Sequence, residues 1–509
     1  MKNKGLDVSP SLPNYLYHPP KAGTIPIVAY NPTPWIKEGY AYPPTVEVFR
    51  KIIECGFNAA MMGTTPAKTA DGDGMNPGML DGSLASMQGL DISAVVNAGA
   101  FCAMPYPNNG LSADVYTTVM VNFINKYKVN SQIWGWMIFD EPKFVNLFGF
   151  KDGTDVQTLQ GIQDVAQTYN TYISDSPGKV TFFNLACTLK SDTIGADIAD
   201  NVDKDTPLKK YYAYLSRINS TFKPALWSFD FYPVRVNPST SVTYVLDEYY
   251  LYLEAFKAIA NASGRPFWAY ILSTNHDIYE ETSHGSSLSA MYAQPTEGVL
   301  RFQAFSALAY GAQGIVYWTY GQTLNKKFGN GAIHELYHSA PVNSQNEITS
   351  TWYSAKKVNQ EIKSMNDVFF GATCKKVVHV YNPQMMKDIA EGKNPNGVFE
   401  NTTTKNGTFH CLEEVSVPSD GKGLMISYMT KGNSKFLVFV SHDPVNSQVV
   451  TASISMNYNW HFYETREEAS DTEGTENASV SKTISDMAKI ETFTLPPGGY
   501  KVLYFSDKT

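Results

Sequence analysis

The chain has 509 residues, 43% of them apolar and 17% charged, with a formal net charge of -8. That composition excludes a disordered chain, and the acidic balance without a basic stripe excludes a footprint for nucleic acid or an anionic membrane. The length exceeds one ordinary core, so two or three domains are expected, and no apolar run approaches the roughly 18 residues of a membrane span. The five cysteines (Cys55, Cys102, Cys187, Cys374, Cys411) are scattered without CxxC spacing, which speaks against a zinc knuckle or redox pair.

Residues 25–30 read as a first strand. Segment 45–55 then carries Val46, Phe49, Ile52 and Ile53 at helical spacing and stops at Gly56. Residues 57–62 and 92–97 read as strands two and three, with a short helix around 84–88 between them. A helix over 114–127 precedes a fourth strand, 133–139, and a helix over 156–173 precedes a fifth, 180–185. A helix over 208–218 leads to a sixth strand, 225–231, and one over 242–260 to a seventh, 266–272. A helix opens at Pro295, in the first-turn position that tolerates proline, and runs to 310. An eighth strand, 314–319, and a closing helix over 349–369 complete the pattern. This alternation predicts an α/β fold, a (β/α)8 TIM barrel over residues 1–370. A doubly wound open sheet is the competing reading, but no GxGxxG follows the first strand.

After Gly371 the character changes. Segments 376–381, 424–429, 436–441, 449–455, 460–463, 490–495 and 500–505 are strand-like, with no helical segment of length between them. They predict a C-terminal antiparallel β-sandwich over residues 371–509, with the acidic stretch 467–481 as an exposed loop.

The most telling stretch is Gly135-Trp136-Met137-Ile138-Phe139-Asp140-Glu141-Pro142. A buried strand ends in two adjacent carboxylates, which are rarely left beside a core unused, and Pro142 stops the ladder there. Asp230 likewise interrupts strand six just before Tyr232. It reads as a nucleophile, a base or a sugar-hydroxyl ligand, or else as a cap on neighbouring backbone N–H groups. Asp277, Glu280 and Glu281 follow strand seven, where a solvated loop is the plainer account, and His276 beside them reads as a hydroxyl contact or a surface residue. Trp136, Tyr232, Trp268, Tyr270, Trp318 and Tyr320 are candidates for an aromatic floor under sugar rings, although core packing accounts for any one of them as well. Asn184, ending strand five, is a candidate hydroxyl partner. The histidines form no HExxH, and Asp71-Gly72-Asp73-Gly74 begins like a calcium loop that Met75 and Asn76 spoil. Neither a phosphate loop nor GxSxG occurs, so no metal and no cofactor are expected.

Gly135-Trp136 through Asp140-Glu141-Pro142 resembles the fourth-strand motif of barrel glycoside hydrolases of clan A and their β-galactosidase-like relatives. Trp227-Ser228-Phe229-Asp230-Phe231-Tyr232-Pro233, Arg265 through Tyr270, and Leu300 through Tyr320 resemble strand six, strand seven and the last helix–strand pair of barrel glycosidases from Bacteroides-type bacteria. Leu495-Pro496-Pro497-Gly498-Gly499-Tyr500 resembles the end of the β-domain that follows such barrels. The resemblance implies a carbohydrate substrate, a general acid/base at Glu141 and a sugar-supporting tryptophan at Trp318. Two positions depart from it. The clan has Asn before the acid/base, contacting the 2-hydroxyl, where this chain has Asp140. The clan's nucleophile, a Glu, ends strand seven, where Trp268-Ala269-Tyr270-Ile271-Leu272-Ser273 offers no carboxylate.

Glycoside hydrolysis needs two carboxyl groups, so Asp230 is expected within about 10 Å of Glu141, about 5 Å favouring a covalent intermediate and about 8 Å inversion. A carbohydrate-binding protein that has lost hydrolysis is the rival reading, and an enzyme using Asp140 and Glu141 as magnesium ligands is a third. Met1 to Pro10 lack the apolar centre of a signal peptide. The expected location is secreted, periplasmic or cell-surface after removal of a leader, with the cytoplasm as the alternative.

Overall fold

The computed structural model of the protein describes residues 23–34, 44–63, 78–97, 122, 125–143, 179–201, 206–283, 285–381, 409–464, 480–483 and 490–507. Most of the helix expected over 114–127, all of that over 156–173, Cys102 and most of 467–481 lie outside the described residues.

Parallel strands close into a barrel in chain order: β1 (Ile27–Tyr30), β2 (Ala59–Gly63), β3 (Ser93–Asn97), β4 (Ile133–Asp140), β5 (Val180–Ala186), β6 (Leu226–Asp230), β7 (Phe267–Leu272) and β8 (Ile315–Trp318). These strands are apolar on both faces because both are covered. Val28, Met61, Val95, Met137, Phe182, Leu226, Trp268 and Val316 fill the interior. Ile27, Ala60, Trp136, Phe183, Trp227, Phe267 and Ile315 pack outward in the layer shared with the helices. Helix starts are set by threonine caps. Thr45, Thr206, Thr296 and Thr349 each accept a backbone N–H in the first turn of Val46–Glu54, Pro207–Phe222, Glu297–Ala309 and Ser350–Ser364, each worth about 1 kcal/mol. Pro295 therefore precedes the cap and does not open the helix.

A second sheet lies at the C-terminal end of the barrel, where the sequence suggested loops. Its strands, in spatial order, are Lys326–Lys327, Ile333–His338, Asn275–Thr282, Gly285–Tyr292, Val234–Val236 and Thr243–Val245. They are contributed by the chain after β6, β7 and β8. The start of the helix expected over 242–260 is thus a strand, and the helix itself runs Glu248–Ser263. Asp277, Glu280 and Glu281 belong to a hairpin, not to a loop.

After Phe369 the chain turns to antiparallel strands, beginning with Thr373–Val380. A six-stranded sheet and a three-stranded sheet enclose Val378, Leu424, Ile426, Leu437, Phe439, Val450, Ile454 and Leu503. The other face of the larger sheet, with Met425, Met429, Phe436, Val438 and Val502, joins the barrel's helical layer. At this join the buried Arg301 binds Glu361 at 2.8 Å, Glu297, and the Pro497 carbonyl at 3.0 Å. Phe305 stacks on Tyr500 at 3.6 Å. Gly298 and Gly498 permit the close approach, since a Cβ on Gly498 would lie 2.1 Å from the Gly298 carbonyl oxygen. Among the described residues no helix is long and apolar enough to cross a membrane.

Candidate active site

The barrel mouth is shaped by two irregularities in β4. Its pairing with β3 skips Trp134, and its pairing with β5 skips Ile138. A bulge adds a residue without a partner and reverses which face later side chains take. Trp134 turns inward and stacks on Trp268 at 4.9 Å. Ile138 and Phe139 both pack outward. The extra residue at 138 brings Asp140 inward, opposite Asn184 of β5.

There Asp140 joins a polar ring that crosses β1, β3, β4, β5 and β6. Asn97 Nδ2 donates to the Tyr30 hydroxyl at 2.7 Å, and that hydroxyl donates to Asp140 Oδ2 at 3.3 Å. Asn184 Nδ2 donates to Asp140 Oδ1 at 3.0 Å, and Ser228 Oγ donates to Asn184 Oδ1 at 3.2 Å. Burial raises the Asp140 pKa to about 6, the Asn184 and Tyr30 hydrogen bonds pull it back, and the neighbouring Glu141 charge adds to the rise.

Glu141 follows in the left-handed region, with φ +45°, its N–H donating to the Asn184 carbonyl at 2.8 Å. A non-glycine residue there costs roughly 1 kcal/mol or more and is held by its surroundings. Its exposed carboxyl lies within hydrogen-bonding reach of Asp230, at the end of β6. Asp230 Oδ1 is buried with no hydrogen-bond partner. Burial, then the Glu141 charge, push the Asp230 pKa well above the usual carboxylate range. Two carboxyls this close cannot both ionise cheaply.

The aromatic candidates separate into three groups. Tyr232 and Trp318 stand at the mouth, stacked at 5.7 Å, and the Asp230 and Glu141 charges act on the Tyr232 hydroxyl. Tyr270 lies lower in the barrel interior, its hydroxyl against Met137 Sδ at 3.2 Å and Met61 Sδ at 3.5 Å. Trp136, Trp268 and Tyr320 are 0% exposed and do not reach the mouth. Trp136 and Tyr320 face the helical layer, and Trp268 is held deep in the barrel against Gly314, whose added Cβ would meet its ring at 2.3 Å. For these three, strand alternation and burial overturn the aromatic-floor expectation. Asp277 is largely buried near His338, at 3.5 Å, while Glu280 and Glu281 are exposed on the hairpin.

The structure adds residues that the sequence did not single out. Tyr30 and Asn97 complete the polar ring. Tyr292 and Tyr337, from the second sheet, sit close enough for the Glu141 charge to act on their hydroxyls. For Tyr30 the signal was its place at the end of β1. For Tyr292 and Tyr337 the pairing that brings them in is between distant segments and leaves no local trace.

A closed parallel barrel with carboxyl groups on the C-terminal ends of its strands, followed by antiparallel sheets, defines a (β/α)8 barrel with a C-terminal β-sandwich. No protein-family profile matches the sequence, and no curated protein does. Among solved structures, the β-galactosidase of Bacillus circulans sp. alkalophilus aligns over 95% of this chain and 99% of its own, with a TM-score of 0.51 and 8% identity. The β-galactosidase of the psychrophilic Marinomonas ef1 aligns over 67% of this chain at a TM-score of 0.42 and 12% identity, and this chain covers 60% of that enzyme's length. The endo-β-1,4-mannanase of Thermotoga petrophila aligns over 85% of this chain and 94% of its own, at a TM-score of 0.41 and 11% identity. These neighbours are glycoside hydrolases, and the likeness to them is one of fold.

Proposed function

We propose that the protein is a glycoside hydrolase acting on an oligo- or polysaccharide, with Glu141 as general acid/base and Asp230 as its partner. The observation that carries this reading is the approach of the Glu141 and Asp230 carboxyls at the mouth, walled by Trp318 and Tyr232. One carboxyl of a hydrolytic pair must hold a proton for the leaving oxygen while the other is ionised. A sugar ring on Trp318 or Tyr232 would place a glycosidic oxygen between the two groups. Asp140 and Asn184 are proposed to orient the sugar from the polar ring, within a catalytic unit of residues 1–370 and a supporting β-sandwich of 371–509.

The test is a screen of aryl glycosides and oligosaccharides with wild type and Glu141→Gln side by side. Turnover should fall at least about 10²-fold in Glu141→Gln on whichever substrate the wild type cleaves, and comparably in Asp230→Asn. Full activity in either variant removes that residue from the mechanism. The end of β7 favours the second reading, a carbohydrate-binding protein: Ser273 stands there with its hydroxyl committed to the Thr319 carbonyl at 3.0 Å. Sugar binding without turnover in the wild type would decide for it.

A further inference from the structure

The second sheet turns one row of planar side chains toward the mouth. Tyr337 pairs in register with His276, and Tyr292 with Arg235. The His276 ring lies between Tyr337, at 4.4 Å and 23°, and Tyr292, at 5.1 Å and 5°. Arg235 covers the Tyr292 ring at 3.6 Å. The column abuts the mouth aromatics, with Trp318 at 6.0 Å from His276 and Tyr232 edge-on to Tyr292 at 6.2 Å. Both tyrosines of the column feel the Glu141 charge.

His276 is fixed in orientation yet unsatisfied. Glu335 Oε2 faces Nε2 at 3.4 Å, while Nδ1 is buried without a hydrogen-bond partner. The Glu335 carboxylate is itself held by Lys326 at 2.9 Å and by the Tyr337 hydroxyl, and these contacts with His276 keep its pKa well below the usual range. With Nε2 turned to the Glu335 carboxylate as donor, Nδ1 is the acceptor that the neutral ring offers. A buried acceptor without a donor costs about 1–3 kcal/mol. The column that holds it in place makes sense if a ligand supplies the missing donor.

We propose that His276 is a specificity residue of the mouth, accepting a hydrogen bond at Nδ1 from a hydroxyl of a neutral pyranose seated against Trp318. This rests on the glycosidase reading above and adds the substrate class. Glu141 and Glu335 bring negative charge to this side of the mouth, while Arg235 is committed to Tyr292 and Lys326 to Glu335. An anionic sugar would meet net repulsion there.

The experiment compares wild type with His276→Phe, which keeps the stacking between the tyrosines and removes the acceptor. The probes are 4-nitrophenyl pyranosides, with their monodeoxy analogues for whichever sugar the wild type cleaves. kcat/KM on the parent sugar should fall about tenfold in His276→Phe, mainly through KM. One monodeoxy analogue should lose about the same factor on the wild type and nothing further on the variant, as required of a single shared hydrogen bond. If every analogue loses equally on both proteins, or if His276→Phe matches wild type on the parent sugar, the assignment is overturned. His276→Leu repeats the comparison should His276→Phe fail to fold. A wild type that neither cleaves nor binds any of the sugars overturns the glycosidase reading itself, and the His276 assignment falls with it.

Discussion

Asp140 occupies the position where the clan that this motif resembles carries asparagine, and its two hydrogen-bond donors show how a carboxylate is tolerated there. Asn184 and Tyr30 reach it from β5 and β1, yet burial wins and the pKa rises to about 6. A carboxyl whose folded pKa exceeds its unfolded value of about 3.9 binds more protons when folded. Its contribution to stability is complete below pH 3.9 and is lost as pH rises through about 6. Asp140→Asn should therefore unfold later in urea than wild type at pH 7.5, by about 1 kcal/mol after allowing for its partial exposure. The advantage should vanish at pH 4. A variant no more stable at pH 7.5 would mean that the ring stabilises the ionised form. Asp230 shifts in the same direction, so its replacement by Asn should also stabilise the fold while reducing turnover.

At the scale of elements, β4 explains what was legible in the sequence and what was not. The apolar run, its carboxylate ending and the breaking proline were all readable locally, and they located Glu141 at a strand mouth. The bulges at Trp134 and Ile138 were not readable, because a bulge is set by pairing with β3 and β5. Alternation counted through them misassigns Trp136, which faces the helices. The second sheet was hidden for the same reason: its strands are short, polar and paired across long separations, so residues around Asp277 looked like a solvated loop. Gly135 marks the strain between the bulges, since a Cβ there would sit 2.7 Å from the Val180 carbonyl oxygen. Gly135→Ala should cost about 1–3 kcal/mol in urea unfolding and reduce turnover with it, because the shift propagates to Asp140 and Glu141. An alanine variant as stable as wild type would show that β4 and β5 slide apart freely.

The whole molecule is joined along the flank of the barrel. His379 Nε2 meets the Tyr310 hydroxyl at 3.0 Å and its Nδ1 meets His442 at 3.1 Å, beneath Tyr250 and Tyr381. Burial pushes both imidazoles down, His442 to about 3, and Lys257 adds to the effect on His379. Because the unfolded value is about 6.5, the join is at full strength above that pH and weakens as pH falls toward 3. Thermal unfolding should move down between pH 6.5 and 4, and the slope should be shallower in a His379→Gln/His442→Gln double variant, which isolates the pair from the opposing carboxyls. Arg301 is the other anchor. Arg301→Met leaves Glu297 and Glu361 facing each other, and a loss of about 3–5 kcal/mol is expected, read as an earlier unfolding transition. A variant with wild-type stability would show that the apolar faces alone hold the join.

The sheet over the mouth also constrains how this chain can change in length. Loops at the end of a barrel ordinarily gain and lose residues freely, but here three of them are woven into one ladder. Inserting a single residue between Leu272 and His276 would reverse the facing of the whole strand. His276 would turn away from Trp318, and Asp277 would turn toward it. Variation on this side of the mouth must therefore come in steps of two residues, or at the tip of the hairpin around Ser283, where no partner strand keeps count.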